Sequence, residues 1–258
     1  ERNLPKGITV RMLLDHTSGL GDPFLVTAVD RQLRADPSAV WTPERFLAAL
    51  PKPRFAPGKG WFYSNANYVV LGLLVERVSG RPYAELLRST LLEPLGLSTA
   101  LVQPDRPGPV APAHGYRVAK DHGRVRPIDL SDGSPTDPFT SVVTASALAL
   151  GRWGAALYGG GLLPPELFAA MVDDAVRTAP LRPPIPYGLG VQLVEVDGQP
   201  TYGHSGRLLG ARAALRYLVR SGISIAAVSN QGEADMGPLV SDIVRLVLPS
   251  PARCGRCG

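Results

Sequence analysis

The spacing of apolar residues divides the chain into a helix-rich first part and a strand-rich second part. Apolar side chains recur every three or four positions, as in amphipathic helices, in residues 8–14, 43–50, 66–79, 83–92, 144–158, 163–171 and 237–248. From residue 187 the period changes to two, which predicts strands at residues 187–196, 201–204, 211–219 and 223–230. Helices followed by an antiparallel meander and a closing helix predict an α+β fold rather than a parallel βαβ sheet.

Capping and turn residues support these boundaries. Thr42 and Pro43 open one helix, and Gly80 closes the helix that begins near residue 66. Turns are expected at Asp197-Gly198 and Ser221-Gly222. In the helix at residues 66–79, the apolar face is predicted to consist of Tyr68, Leu71, Val75 and Val78. Thr144 is predicted to cap the helix that runs to residue 158. Leu148 and Trp153 are predicted to face inward from the helix that follows Thr144.

Tyr63 and Asn65 stand immediately before a predicted helix. Because they alternate along an extended stretch, a phenol and a carboxamide can face one common space. A structural alternative is an aromatic core plug in which Asn65 caps the helix. This stretch taken alone favours the structural alternative.

His16 and Ser18 resemble a base and a nucleophile, but they lie two residues apart beside Gly19. Such residues typically hydrogen-bond the local turn, and Gly19 is placed to end the preceding helix in a left-handed conformation. A structural role is therefore predicted for both. His114 and His122 are likewise predicted to be exposed and structural, in a loop-rich region with short strands.

Composition limits the function classes. The 258 residues suit one large domain or two interleaved lobes, and no apolar run approaches the length of a membrane span. The net charge of +5 comes from scattered arginines, which is a weak argument for nucleic-acid binding. Cys254 and Cys257 form a lone C-x-x-C that lacks a second ligand pair, so no metal or cofactor is predicted. Residues 249–258 are predicted to be a disordered tail.

Gly203-His204-Ser205 resembles part of a nucleophile elbow. That motif needs a glycine two residues after the serine, where this chain has Arg207, and it joins a strand to a helix. Here one strand is followed by another strand. The α/β-hydrolase alternative therefore fails.

Four stretches in order resemble one family. They are residues 8–20 with the turn Asp15-His16-Thr17-Ser18-Gly19, Tyr63-Ser64-Asn65, Glu93-Pro94-Leu95-Gly96-Leu97, and Tyr187-Gly188-Leu189-Gly190 with His204-Ser205-Gly206. The set is similar to the motifs of the penicillin-recognising serine hydrolases, which include class C β-lactamases, D-alanyl-D-alanine carboxypeptidases and related esterases. The resemblance implies a β-lactamase/transpeptidase-like fold with a mainly helical subdomain.

The family's chemistry assigns expected roles. A serine attacks an amide, lactam or ester carbonyl, and water then releases the acyl-enzyme. The resemblance implies that Tyr63 relays protons and that Asn65 holds the substrate amide. His204 and Gly206 would line the strand edge beside the substrate, and the backbone N–H of Arg207 would be one oxyanion donor.

The family's Ser-x-x-Lys motif does not occur in this sequence. The residues three positions before its four lysines are Asn3, Ala49, Ala56 and Arg117. By resemblance the motif would fall before Glu1, together with the first strands of the sheet. The chain is therefore expected to be the C-terminal portion of an enzyme, inactive by itself, with one unpaired sheet edge.

The expected organisation is a helical subdomain at residues 1–138 and a sheet-and-helix subdomain at residues 139–248. The substrate can be a β-lactam, a D-alanyl peptide or an ester, and the sequence does not decide among them. A non-catalytic protein that binds cell-wall peptides is the alternative. The resemblance favours a periplasmic or extracellular location over a cytoplasmic one and implies nothing about oligomeric state.

Overall fold

The protein's structure, a computed structural model, describes residues 4–36, 41–97, 100–102, 113–121, 124–130, 143–178, 184–208 and 210–248. Its helices are α1 (Val10–Leu14), α2 (Thr27–Ala35), α3 (Pro43–Ala48), α4 (Asn65–Ser79), α5 (Tyr83–Leu87), α6 (Ala147–Tyr158), α7 (Pro165–Val172) and α8 (Met236–Val247). Its strands are β1 (Leu101–Val102), β2 (Tyr116–Asp121), β3 (Arg124–Asp129), β4 (Val143–Thr144), β5 (Val176–Arg177), β6 (Pro186–Tyr187), β7 (Gln192–Val196), β8 (Gln199–Leu208), β9 (Ala211–Leu218) and β10 (Ile223–Ser229). A 3-10 turn spans Pro23–Leu25, and a π-helical turn spans Arg88–Leu92.

Six strands form one antiparallel sheet in the order β10-β9-β8-β7-β6-β5. The pairs β1–β4 and β2–β3 are separate two-stranded ribbons. Asp197 and Gly198, both with positive φ, make the tight turn between β7 and β8, as predicted. An antiparallel sheet that follows a helical region confirms the predicted α+β class.

Helices cover both faces of the sheet. Residues alternate along β9, so Ala214 and Leu218 pack with Val244 of α8 on one face. Leu215 points to the other face and packs with Tyr158 of α6 and Met171 of α7. The central strands β8 and β9 are thereby shielded on two sides.

The helical region has its own core around Trp41, Phe46, Ala66 and Val69. The buried residues of α4 include Ala66, Val69 and Gly72, spaced three apart, because α4 packs against α1 and α3. The predicted apolar face was therefore wrong at Val78, which is 79% exposed.

Helix α6 begins later than predicted. The Ser146 side chain accepts the Ala149 N–H as the cap, while Thr144 pairs with Leu101 in a ribbon. Ala149 takes the inward position in the first turn of α6, so Leu148 is 67% exposed and its predicted inward orientation was wrong. Trp153 packs inward, as predicted.

The strand predicted at residues 187–196 is interrupted between β6 and β7. The Gly188 N–H donates to the Val191 carbonyl, and the Gly190 N–H donates to the Leu14 carbonyl at 3.1 Å. Gly190 has φ of +79°, and a side chain there would meet the Tyr68 hydroxyl. This break brings the sheet against the end of α1.

Gly19 is left-handed, as predicted, but it does not end α1, whose last residue is Leu14. A Cβ at Gly19 would lie far inside contact distance of the Phe55 carbonyl oxygen. We expect Gly19→Ala to destabilise the protein by about 3 kcal/mol, because strain and a backbone clash act together. Gly80→Ala is the matched control, since Gly80 is also left-handed but has open space around it, and it should cost about 1–2 kcal/mol. Chemical denaturation of both variants measures the difference, and equal losses would contradict the clash.

Several expectations fall outside the described residues. These are His122, Cys254, Cys257, the tail at residues 249–258 and the boundary between residues 138 and 139. The two subdomains therefore stay a prediction. Within the described sheet, β10 pairs only with β9, which agrees with the expected open edge. None of the described helices is long and apolar enough to cross a membrane.

Candidate active site

A cavity of about 200 Å³ lies between the start of α4 and the edge of β8, and we call it the α4–β8 pocket. Its lining residues are Tyr63, Asn65, Tyr68, Tyr187, Gly190 and His204. The structure thus brings together three of the five predicted site residues from distant parts of the chain. Their catalytic roles stay predictions.

The start of α4 orients Tyr63 and Asn65. Ser64 is extended, its side chain accepts the Ala66 N–H, and its hydroxyl donates to the Gly21 carbonyl. Ser64 is the helix cap, so the alternative in which Asn65 caps the helix was wrong. Because Ser64 is completely buried, its two neighbours point the other way, into the pocket.

Asp22 holds Asn65 from behind, a contact that sequence reasoning missed. One carboxylate oxygen of Asp22 accepts the Asn65 backbone N–H at 3.0 Å and its side-chain N–H at 2.7 Å. The other accepts the Phe24 N–H at 2.9 Å. Burial raises the pKa of Asp22, although these hydrogen bonds oppose the shift. The bonds leave Oδ1 and the second side-chain N–H hydrogen of Asn65 for a ligand.

Tyr63 forms the open wall of the pocket and is 38% exposed. Its ring lies 4.1 Å from the His16 ring and 6.0 Å from the His204 ring. Burial, and secondarily the Asp22 carboxylate, raise the pKa of Tyr63 to about 12. Among the described residues no cation lines the pocket, so the phenol is protonated at neutral pH.

Among the described strands, none pairs with β8 beyond Gly203 on its β7 side, so this edge is open beside the pocket. Pairing with β7 ends at Gly203, whereas β8 continues to Leu208 along β9. The Pro200 carbonyl accepts the Val219 N–H, so the main-chain groups of even-numbered residues face β9. Those of Ser205 and Arg207 therefore face the open edge. The Arg207 N–H can bind a ligand there, although its side chain does not line the pocket.

Gly206 lies on the same face of β8 as His204. A Cβ at Gly206 would be 3.4 Å from the nearest atom, the Cβ of Ala213, so packing does not require glycine. A Cβ at Gly203 would instead run into the Leu215 carbonyl. Gly203 is therefore needed for the sheet, whereas Gly206 is not required by packing and does not line the pocket.

His16 is completely buried, but the prediction that its side chain hydrogen-bonds the local turn was wrong, since its ring partners lie 48 or more residues away in the chain. Its Nδ1 lies 2.9 Å from Asn67 Nδ2, and its Nε2 lies 3.3 Å from the Tyr187 hydroxyl. The Tyr187 hydroxyl is also 3.1 Å from His204 Nε2. Sequence reasoning placed Tyr187 only in a strand and in a family motif, so its position between two imidazoles was missed.

The serines nearest the pocket are already occupied. Ser18 donates to Asn67 and accepts the Leu20 N–H, and Ser205 accepts from the Arg216 guanidinium on the other sheet face. No serine of the described residues lines the pocket. Nor do these residues contain a cluster of three metal-ligating side chains.

Comparison with known proteins agrees with this architecture. Residues 1–247 match the family described as Beta-lactamase. A D-aminopeptidase from Brucella anthropi is 28% identical over 235 residues, which are 86% of this chain and 41% of that protein. The chain spans less than half the length of the D-aminopeptidases it matches.

Solved structures show the same fold. A D-stereospecific amidohydrolase from Streptomyces sp. superposes with a TM-score of 0.80 at 29% identity, covering 92% of this chain and 71% of that one. A D-amino acid amidase from Ochrobactrum anthropi SV3 superposes with a TM-score of 0.73 at 24% identity, covering 88% of this chain and 65% of that one. At this identity the likeness supports the fold and nothing further. The fold, the ordered motifs and the family match over almost the whole chain agree, and the chain belongs to the beta-lactamase family of serine hydrolases.

Proposed function

We propose that the protein containing this chain is a serine acyl-hydrolase that cleaves the amide of a D-amino acid or D-peptide with a free α-amine. The observation that carries the proposal is the α4–β8 pocket, where Tyr63, Asn65 and His204 meet beside an open strand edge. A substrate amide can lie along that edge, where Asn65 and the Arg207 N–H would bind its carbonyl groups. The serine and lysine of Ser-x-x-Lys are absent from these 258 residues and are proposed to come from outside them.

Electrostatics supports an amine-bearing substrate. The described pocket lining carries no formal charge, and the Asp22 carboxylate lies directly behind Asn65. A negative group behind a neutral wall favours an ammonium group and disfavours a carboxylate. The D configuration rests on the relatives, a D-aminopeptidase and a D-stereospecific amidohydrolase.

In the proposed reaction a serine oxygen adds to the amide carbonyl as its proton passes towards Tyr63. The tetrahedral intermediate then breaks the C–N bond, and the leaving amine takes up the proton that the serine passed to Tyr63. Water attacks the resulting ester and frees the acid and the serine. Because the Tyr63 pKa is about 12 in this chain, the phenol needs a nearby cation to act as a base. The family's lysine would be that cation.

The test uses the complete protein and four substrates: D- and L-phenylalaninamide, each with a free or an N-acetylated amine. We expect the free D-amide to be cleaved with kcat/KM about 10²-fold above the L-amide. We also expect kcat/KM for the free D-amide to exceed that for its N-acetyl form about ten-fold or more. A ten-fold ratio corresponds to about 1.4 kcal/mol of preferential binding. Intact mass after rapid quenching should show an acyl-enzyme.

Asp22→Asn sharpens this test, because it removes the charge behind Asn65. The preference for the free amine should fall about ten-fold. The control is Asp242→Asn, which changes an exposed carboxylate paired with Arg245 and should leave the preference unchanged. An N-acetyl amide cleaved equally well by the unmodified protein would overturn the amine assignment, and the lack of any acyl-enzyme would overturn the hydrolase itself.

A non-catalytic protein that binds cell-wall peptides is the second candidate. The observation in its favour is that none of the 258 residues supplies Ser-x-x-Lys. Saturable binding of a D-peptide by the complete protein, without acylation by amides or by a fluorescent penicillin, would establish this alternative.

A further inference from the structure

A continuous hydrogen-bonded chain of five side chains runs beneath the α4–β8 pocket. It joins the buried turn after α1 to the open edge of β8 through Ser18, Asn67, His16, Tyr187 and His204. Of these five side chains only His204 enters the proposed function, as a residue that lines the pocket. The other members lie in the interior beside it.

The contacts of His16 determine which of its two ring nitrogens donates and which accepts. His16 Nδ1 lies 3.3 Å from the Ser64 backbone N–H, which can only donate. His16 Nδ1 is therefore an acceptor, also for the Asn67 amide, and its proton is on Nε2. The Nε2–H then donates to the Tyr187 hydroxyl oxygen.

The contacts of His204 likewise determine which of its ring nitrogens donates. His204 Nδ1 lies 2.9 Å from the Ser205 carbonyl oxygen, which can only accept, so Nδ1 carries a proton. Nε2 of a neutral ring is then the acceptor for the Tyr187 hydroxyl. Both ring nitrogens of His204 are thus occupied, and every donor in the chain points towards β8.

Adding a proton to either imidazole would break this pattern. A proton on His204 Nε2 would face the Tyr187 oxygen, which already accepts from His16, and would turn the Tyr187 hydroxyl hydrogen away towards its other neighbour, the Tyr68 hydroxyl. A proton on His16 Nδ1 would face two donors. Burial and the neighbouring Arg216 lower the pKa of His204, while its bond to Ser205 opposes the shift; burial together with His204 lowers the pKa of His16 to about 3.

We propose that Tyr187, supported by His16, is a positioning residue that holds His204 as the neutral Nδ1–H tautomer. The uncharged ring then makes the pocket select amides over substrates with a carboxylate beside the scissile bond. The selectivity rests on the proposed function, whereas the tautomer does not. The side chain of Arg207 cannot supply a positive charge to the pocket in place of a protonated His204, because it projects from the opposite face of β8.

The first test is nitrogen NMR of the complete protein labelled with ¹⁵N-histidine. The His204 signals are assigned by their loss in His204→Gln, and long-range proton–nitrogen correlations identify the protonated nitrogen. We expect one neutral Nδ1–H form at pH 6. A charged ring or an Nε2–H form would overturn the proposal without any enzyme assay.

Tyr187→Phe tests whether the Tyr187 hydroxyl is what keeps His204 neutral. In this variant the Ser205 carbonyl still holds the Nδ1 proton, but Nε2 loses its donor, so the ring should take up a second proton at higher pH than in the unmodified protein. Tyr217→Phe is the control, since it removes a hydroxyl from a β9 tyrosine that packs on Tyr158 outside the chain of bonds. An unchanged His204 spectrum in Tyr187→Phe would show that Tyr187 does not hold the ring.

The selectivity is measured with D-alanyl-D-alanine and its C-terminal amide. The unmodified protein should favour the amide about ten-fold or more in kcat/KM. In Tyr187→Phe this ratio should fall, and it should fall further at pH 6 than at pH 8. Activity on neither probe would count against the proposed function, whereas activity with a pH-independent ratio in the variant would count against the role of Tyr187.

Discussion

Replacing Tyr63 with phenylalanine in the complete protein should lower kcat by about 10²-fold or more, the loss typical of a removed proton-transfer group. The change deletes one hydroxyl from the pocket and keeps the ring that packs on His16. Folding should therefore be preserved, and the melting temperature should change little. Stopped-flow measurement of acylation with a chromogenic amide, beside a thermal melt, separates the two effects.

The pH profile gives an independent readout. The Tyr63 pKa is about 12 in this chain, and we expect a cation in the complete protein to lower it. The pH profile of kcat/KM should then have a rising limb over the range in which the phenol ionises. The limb rises with pH as the phenol loses its proton, and it should be absent in Tyr63→Phe. Tyr217→Phe again serves as the control with normal kinetics. Unchanged turnover in Tyr63→Phe would remove Tyr63 from the mechanism.

The second large effect is expected for the 258-residue chain alone, which should form no acyl-enzyme. Ser18, Ser64 and Ser205 are the serines nearest the pocket, and each is held in other hydrogen bonds. The sequence also lacks the lysine spacing that would activate a serine. Intact mass after incubation with a fluorescent penicillin should show the unmodified chain.

This experiment includes the complete protein as the positive control and requires a cooperative melt of the short chain. An adduct on the short chain would contradict the assignment, and peptide mapping would identify the nucleophile. A second arm does not depend on how the short chain folds. In the complete protein Ser205→Ala should still be labelled, because Ser205 faces the side of the sheet opposite His204.

Local patterns predicted the elements well wherever neighbouring residues control them. The period-two segments lie in β6 to β10, although residues 187–196 divide into β6 and β7 and β8 extends beyond the predicted residues 201–204 at both ends. The Asp197-Gly198 turn adopts the positive φ values that such hairpins need. Tyr63 and Asn65 were placed correctly because an extended residue before a helix sends its two neighbours to one side. His204 was predicted from its motif, and it lies in the same pocket.

The errors occur where the surroundings of an element decide which residues are buried. Leu148 and Val78 satisfy helical spacing, yet both are exposed because Ala149 and the Ala66–Val69 face make the actual contacts. Periodicity shows that a helix has an apolar side. It does not show which turns of that side meet a neighbour.

The sequence by itself determined the α+β order of elements, the motif residues and the lack of Ser-x-x-Lys, since each depends only on residues close together in the chain. The tertiary structure alone placed Asp22 behind Asn65, 43 residues away, and joined His16 to Tyr187 across 171 residues. These bonds link groups whose separation in sequence carries no periodic pattern. Their geometry exists only after the helical region packs against the sheet, and it is this packing that makes the pocket neutral at His204 and negative behind Asn65.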